Sequence, residues 1–405
     1  MVTMTARATL ARAMAVLALA GALAAASLTP AAGQAKKEDT FNLSAPYAIL
    51  IDYDSGTVLF EKNADQLMEP SSMAKLMTVE VVFLAIKDGK LGRDDEFLIS
   101  ENAWRRGGAP SHGSTMYAPI HSSVKVIDLL HGAIVQSGND ACIALAEGMA
   151  GSEAAFAEIM TKRARELGLT QSTFANPTGL PDPRTHVTAR ELAKLARHLI
   201  RTYPDFYSIF GEREFTWNRI RQLNRNPLLA MNIGVDGLKT GFTKEAGYGI
   251  VASAVQGDMR LIAVTNGFKG QKERGEETKK LLEWGFKGFE SRPLFAEGQT
   301  IGDAKLFGGA RGRVPLVANG SVRLLVPRNS TERVLARVVY TGPVRAPIEK
   351  GQQIGQLRVW RGQNVVLEVP LQASEAVGPG NLSQRAFDAA TELVINLFRA
   401  GVQKL

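Results

Sequence analysis

At 405 residues, with 45% hydrophobic content and a formal net charge of +8, the chain exceeds one typical domain and is apolar enough to bury real cores. Its single cysteine excludes an intramolecular disulfide. Its five histidines, His112, His121, His131, His186 and His198, lack His-x-x-x-His or His-Glu-x-x-His spacing; this argues against a zinc hydrolase and implies no metal.

In chain order, Arg7 and Arg12 precede an uncharged apolar run from Ala13 to Leu28, followed by small residues around Ala31 to Ala35. This reads as a secretory signal over residues 1–35, cleaved near Ala35. The alternative, a retained anchor, is opposed by the short, alanine-rich run.

Ser72-Met73-Ala74-Lys75 follows Pro70. From Met73 to Ile86, apolar residues recur at helical spacing, and residues three apart share a face, so the Ser72 hydroxyl and the Lys75 amine can meet. Burial and the positive helix end disfavour a lysine charge; a neutral Lys75 can take the Ser72 proton. The helix start and the Ser72 backbone N–H suit a developing oxyanion. A second copy, Ser122-Ser123-Val124-Lys125, has a plain alternative: Ser122 or Ser123 caps a helix over Val126–Val135. The loop Ala103 to His121 is long enough to overhang a cleft, or is simply solvated.

Ser137-Gly138-Asn139 interrupts apolar helices Val126–Val135 and Ala141–Met149. Ser137 can relay a proton between lysines, and Asn139 offers an amide donor and acceptor. The competing view is an interhelical turn with Asp140 as its cap. Cys142 reads as a buried small hydrophobe. Helices Glu153–Leu167, capped by Ser152, and Ala189–Arg201, with a Thr188/Glu191 capping box, are scaffold.

Lys239-Thr240-Gly241 precedes strand-like runs Tyr248–Val255 and Met259–Thr265, so it reads as the edge of an antiparallel sheet, open to an extended peptide. Lys239 and Thr240 would hold a carboxylate. Arg225 is a second clamp by its fork geometry, or a solvated turn arginine. The glycines of Gly247-Tyr248-Gly249 imitate a dinucleotide fingerprint but run into a strand, which discards that reading.

The order Ser-x-x-Lys, Ser-x-Asn, Lys-Thr-Gly is the motif set of serine acyl-enzymes of the penicillin-binding class. With Tyr47 to Gly56, Gln136 to Ala144, Phe215 to Arg225 and Val235 to Ala254, it makes the chain resemble low-molecular-mass penicillin-binding proteins of the D-alanyl-D-alanine carboxypeptidase type, closely over about residues 40–290 and in outline beyond. The resemblance implies an α+β fold: a β-lactamase/transpeptidase-like domain over 36–288, its antiparallel sheet flanked by helices. It implies acylation of Ser72 by a cell-wall stem peptide with loss of terminal D-Ala, and by β-lactams as mimics. Lys75 would be the base, Ser137 a proton-transfer assistant, Asn139 and Lys239 substrate-positioning groups, and Thr240 with Arg225 the carboxylate site. Phe242 stands where relatives often carry a polar residue; its backbone N–H is retained as the second oxyanion donor. No cofactor and no nucleic-acid partner is implied.

Past Phe289 short β-rich runs appear, Val322–Val326, Val334–Tyr340, Gln356–Trp360 and Val365–Leu371, giving a small all-β domain over 289–380. Over 381–405, the stretch from Ser383 to Leu405 returns to helix, with an apolar stripe interrupted by charges. It would lie in a membrane interface, which in the resembled family is the periplasmic face of the inner membrane, or dock on the β domain. Competing functions are a D,D-endopeptidase, a β-lactamase using Glu166, and a non-catalytic wall-binding protein.

Overall fold

The structure, a computed structural model, describes residues 41–386 and 389–390. The expected signal segment and nearly all of the tail helix lie outside the described residues, apart from a helical turn over 382–386 and residues 389–390. Among the described residues, no helix is long and apolar enough to cross a membrane.

Strands appear in chain order as β1 (Tyr47–Asp52), β2 (Val58–Lys62), β3 (Glu96–Leu98), β4 (Ser123–Lys125), β5 (Glu214–Trp217), β6 (Ile220–Leu223), β7 (Val235–Thr243), β8 (Gly247–Gln256) and β9 (Met259–Phe268). Five of them form one antiparallel sheet, ordered β2-β1-β9-β8-β7. Helices cover both faces of this sheet, so its inner strands are apolar on both sides rather than alternating. On β9, Ile262 and Val264 join the large helical core with Ile49, Ile51 and Leu238. Thr265 points to the other face and meets Thr278 of helix Gln271–Gly288 at 2.8 Å. The motif Lys239-Thr240-Gly241 lies on β7, an edge strand as expected.

The segment Ser71–Ala74 is a 3₁₀ turn that runs into the α-helix Lys75–Lys87, where a helix from Met73 is expected. This tighter turn eclipses side chains three apart, which brings Ser72 over Lys75. Helix Lys75–Lys87 is buried from Lys75 through Phe83 and carries Glu80 at 0% side-chain exposure, paired with Arg163 at 2.9 Å. Arg163 belongs to helix Glu153–Glu166, whose cap is Ser152 as expected.

Several local expectations are corrected. The supposed loop from Ala103 is partly helix, Glu101–Gly107, because Ser100 caps it and its first and last turns carry Glu101 and Arg105/Arg106. Ser122 and Ser123 do not cap a helix: Ser123 to Lys125 pair with β3, and Ser122 Oγ donates to the Pro119 carbonyl at 2.7 Å. The helix expected over Val126–Val135 is α only to His131, then continues as a π turn, Gly132–Gln136. The capping box is half formed: Thr188 accepts from the Glu191 N–H at 3.1 Å, but the Glu191 carboxylate binds the Gln171 N–H and the Ser172 hydroxyl instead.

Beyond Phe289 come β10 (Phe289–Phe295), β11 (Gly302–Phe307), β12 (Arg313–Ala318), β13 (Val322–Pro327), β14 (Val334–Tyr340), β15 (Val344–Arg345), β16 (Gln353–Arg361) and β17 (Asn364–Ala373). They form a β10-β13 pair and a six-stranded sheet, β14-β16-β17-β12-β11-β15, around a separate apolar core. Four of these strands, β10, β11, β12 and β15, lie outside the β-rich runs that the sequence predicts, since Gly and Pro punctuate them and β15 is two residues long. The β16–β17 hairpin meets the first sheet where Thr57 Oγ1 donates to the Val366 carbonyl at 2.5 Å.

The Glu80–Arg163 pair pins the helix that bears Lys75. Arg163→Ala leaves a buried carboxylate with only His198 and Tyr203 beside it. We expect a loss of about 3 kcal/mol in urea unfolding; an unchanged midpoint would refute this role.

Candidate active site

Lys75 is fully buried, and its amine meets three oxygens: Ser72 Oγ at 3.0 Å, Asn139 Oδ1 at 2.8 Å and the Thr178 carbonyl at 2.6 Å. Two of these atoms can only accept. A neutral amine has two N–H groups for them and one lone pair left, directed at a hydroxyl able to donate. Burial pushes the Lys75 amine down to about 8, against weaker upward pulls from Cys142 and Asp140. The expected pairing of Ser72 with Lys75 is thus present, and Asn139 joins it.

Lys239 is likewise buried, and among the described residues its amine donates only to the Thr240 carbonyl, at 3.3 Å. Burial first, then the neighbouring charge of Lys75, holds it well below the ordinary lysine range. Ser137 sits at φ +67°, at the end of the π turn, with its side chain on the cleft wall.

The cleft, about 240 Å³, is lined by Ser72, Ser137, Arg225, Thr240, Phe242 and Arg274 among others. No carboxylate is among its lining residues. It is therefore a desolvated, cationic crevice suited to an anionic group. Arg225 Nε lies 3.3 Å from Gln136 Oε1. Phe242 is 49% exposed and stacks on Tyr248 with ring centroids 4.1 Å apart.

Several contributors have no sequence motif. Arg274, on helix Gln271–Gly288, lies over the Tyr248 ring at 5.6 Å; burial lowers its guanidinium to about 10, and its Nε has no partner among the described residues. Nothing but its place on an ordinary amphipathic helix is visible in sequence. The Thr178 carbonyl is presented by an Asx turn, in which Asn176 Oδ1 accepts from the Thr178 N–H and hydroxyl and from the Gly179 N–H; Asn-Pro-Thr-Gly is a turn signal that could have found it.

Asp140, read as a possible cap, is instead a buried clamp, while Gly138 takes the cap position. Its carboxylate accepts from the Thr115 hydroxyl at 2.6 Å and from the Met116, Ala118 and Ala141 N–H groups at 2.9, 3.2 and 3.0 Å. Burial raises its carboxyl, and those donors pull it back. The loop carrying Ser114 is thereby fixed to the cleft.

Cys142 is buried and its thiol is pushed up to about 11 by burial, which makes it a poor nucleophile. Glu166 pairs with Arg163 at 3.1 Å and is not among the cleft-lining residues. No cluster of metal-ligating side chains occurs among the described residues.

The family profile described as D-alanyl-D-alanine carboxypeptidase matches residues 32–270, and that of the C-terminal domain of penicillin-binding protein 5 matches 289–379. The chain belongs to the D-alanyl-D-alanine carboxypeptidase family. Within that family it is 41% identical over 343 residues to the D-alanyl-D-alanine carboxypeptidase DacC of Escherichia coli, covering 84% of this chain and 86% of the relative. It is 38% identical to DacA of Haemophilus influenzae, over 88% and 91% of the two chains. The solved structure of penicillin binding protein 5 from Haemophilus influenzae superposes with a TM-score of 0.74 at 39% identity, covering 84% of this chain and 98% of that one. An ampicillin-bound penicillin-binding protein D2 from Listeria monocytogenes gives a TM-score of 0.53 at 30% identity, covering 61% of this chain and 98% of that one. Family membership makes this chain a serine-type hydrolase of the penicillin-binding class.

Gly179 stands at φ +74°, and a Cβ there would lie 1.9 Å from the Ser71 carbonyl oxygen. Gly179→Ala must therefore displace either Ser71 or Thr178. We expect acylation by a fluorescent penicillin to slow by roughly a hundredfold in a variant that still unfolds cooperatively. Near-normal labelling would show that the turn does not set the Ser72–Lys75 geometry.

Proposed function

We propose that the protein removes the terminal D-alanine from peptidoglycan stem pentapeptides through an acyl-enzyme on Ser72. The observation that carries this is the Lys75 amine, buried and 3.0 Å from Ser72 Oγ with two obligate acceptors on its remaining hydrogens. Lys75 takes the hydroxyl proton as Ser72 Oγ attacks the carbonyl of the penultimate D-alanine. The backbone N–H groups of Ser72 and Phe242 receive the oxyanion. The C–N bond then breaks, the proton passes to the departing amine by way of Ser137, and D-alanine leaves. Water attacks the ester with a proton going to the same base, and the tetrapeptide is freed.

Asn139 and Lys239 hold the peptide, and Thr240 with Arg225 receives the terminal carboxylate, Arg274 adding a further cation at the wall. A carboxylate arriving beside Lys239 favours its ammonium and leaves Lys75 the easier of the two to keep neutral. β-Lactams acylate Ser72 as mimics, a reading supported by the ampicillin-bound relative.

The catalytic part spans residues 36–288 and the β domain 289–380, with residues 1–35 as an export signal. The enzyme then works on the outer face of the cytoplasmic membrane, with the tail over 381–405 lying apolar side down in the interface. The β domain would act as a spacer between that surface and the cleft.

Purified protein should become covalently labelled by a fluorescent penicillin, and Ser72→Ala should abolish the label; persistent labelling of the variant would sink the nucleophile assignment. The pH dependence has a definite sign. A lysine lowered to about 8 is mostly protonated at pH 6 and mostly neutral at pH 9. The acylation rate constant should therefore rise about tenfold per pH unit well below 8 and level off above it. A flat profile between pH 6 and 9 would remove Lys75 as the base.

A further inference from the structure

We infer that the outer edge of β14 is a docking edge for an extended segment of a partner protein. The segment adds to the six-stranded sheet as a further strand and sets an acidic residue against Arg337, with an apolar residue two places to either side. Among the described residues β14 ends that sheet, with no strand beyond it. From Val334 to Tyr340 it pairs with β16 without a bulge, so every second residue turns its N–H and C=O outward as a regular, unpaired ladder. The opposite edge, β15, is only two residues long. Edge strands are usually blunted by proline, a bulge, short length or charge. β14 has only the last of these devices, the single charge of Arg337.

Side chains alternate along the strand. Val334, Val338 and Tyr340 lean on the domain core, which turns Leu335, Arg337 and Val339 to the opposite face. There Leu335 is 48% and Val339 37% exposed. The pairing register continues this face in rows across the neighbouring strands. Leu335 stands opposite Trp360, and Trp360 opposite Val365, an apolar row; Arg337 stands opposite Arg358, and Arg358 opposite Glu368. Arg358 is neutralised by Glu368 at 2.7 Å. Arg337 is left beside a like charge, with no carboxylate of its own among the described residues. Opposite charges facing each other across a ladder stabilise it, and like charges destabilise it. An acidic residue on an added strand therefore completes a row of alternating sign, acid to Arg337 and Arg358 to Glu368, while its apolar neighbours extend the Leu335 row and cover Val339. The same rule disfavours a second copy, because two β14 edges paired antiparallel about their middle set one Arg337 against the other. No residue of β14 lines the active-site cleft, so a partner held here leaves the cleft open.

The test uses the full chain and fluorescence anisotropy of fluorescein-labelled Thr-Val-Thr-Glu-Thr-Val-Thr. It is compared with the same peptide carrying Lys in place of Glu, and with two forms N-methylated on alternate sets of backbone nitrogens. We expect the Glu peptide to bind about tenfold more tightly than the Lys peptide. Arg337→Glu should reverse that order with its urea midpoint unchanged. One methylated form should still bind and the other should not, since an added strand pairs along one side only. Equal binding of the Glu and Lys peptides, survival of binding in both methylated forms, or no binding of any peptide at about 1 mM would overturn the docking edge. A wild-type dimer in sedimentation velocity that Leu335→Glu abolishes would give the edge to a second copy and overturn it as well.

Discussion

Everything chemical in this molecule depends on keeping one lysine amine dry. Lys75 could satisfy its charge easily at a surface; buried under the Ser72 turn it is lowered to about 8. Below about pH 8 this lowering is a loss of folding stability, recovered only as pH rises toward the free lysine value. The sign follows because the unfolded chain binds a proton there that the folded one holds less readily. The fold offsets this cost with ordinary packing: the helix from Lys75 to Lys87 is buried from Lys75 through Phe83. The same desolvation that weakens the fold favours the neutral amine that the proposed base requires.

A second buried amine makes the constraint sharper. Lys239 faces the charge of Lys75, and two ammonium groups in one dry crevice repel at high cost. The described geometry separates their duties by hydrogen bonding. Lys75 has three oxygens around it, whereas Lys239 has one weak contact to its own strand. The better hydrogen-bonded amine is the one whose third partner is a hydroxyl, and so the one whose lone pair has somewhere to go. The less hydrogen-bonded amine is the one that gains most from an incoming anion or carbonyl. Unequal satisfaction of two like groups supports the two roles proposed for them.

How much of this was legible in the sequence follows from how local each feature is. Ser72 and Lys75 three apart, or Lys239 on an edge strand before two β runs, are encoded within a few residues and emerge from periodicity. The 3₁₀ character of the Ser71–Ala74 turn does not; the turn at Thr178–Gly179 packs against it from about a hundred residues away in sequence, out of reach of any local pattern. The role of Asp140 is hidden for the same reason. Its sequence neighbourhood says helix start, while its actual partners, Thr115, Met116 and Ala118, lie on a loop more than twenty residues earlier. Arg274 had no local signal at all; only the folded helix brings it to the Tyr248 ring. The β domain was legible as a class but not strand by strand, since short strands broken by Gly and Pro carry little periodic information.

The cleft's affinity for an anion is local rather than a property of the whole surface. Residues 36–288 contain 31 Lys and Arg against 31 Asp and Glu, whereas residues 289–380 contain twelve against seven. The segment over 36–288 therefore has no formal excess of charge, and the basic balance of the chain resides elsewhere. A long-range field from a neutral domain would steer a charged substrate weakly and would be screened within about 8 Å in physiological salt. In the proposed reading, recognition falls instead to Arg274, Lys239 and the Thr240 hydroxyl, all buried, where screening by mobile ions is small, with Arg225 an exposed cation on the same cleft. Such a site discriminates by removing water from its cations and leaving them under-partnered, so that a carboxylate fitted between them gains what bulk solvent no longer supplies. An approach along the open edge of β7 lets the substrate backbone pair with the strand at the same time, which couples recognition of the anionic end to the alignment of the carbonyl over Ser72.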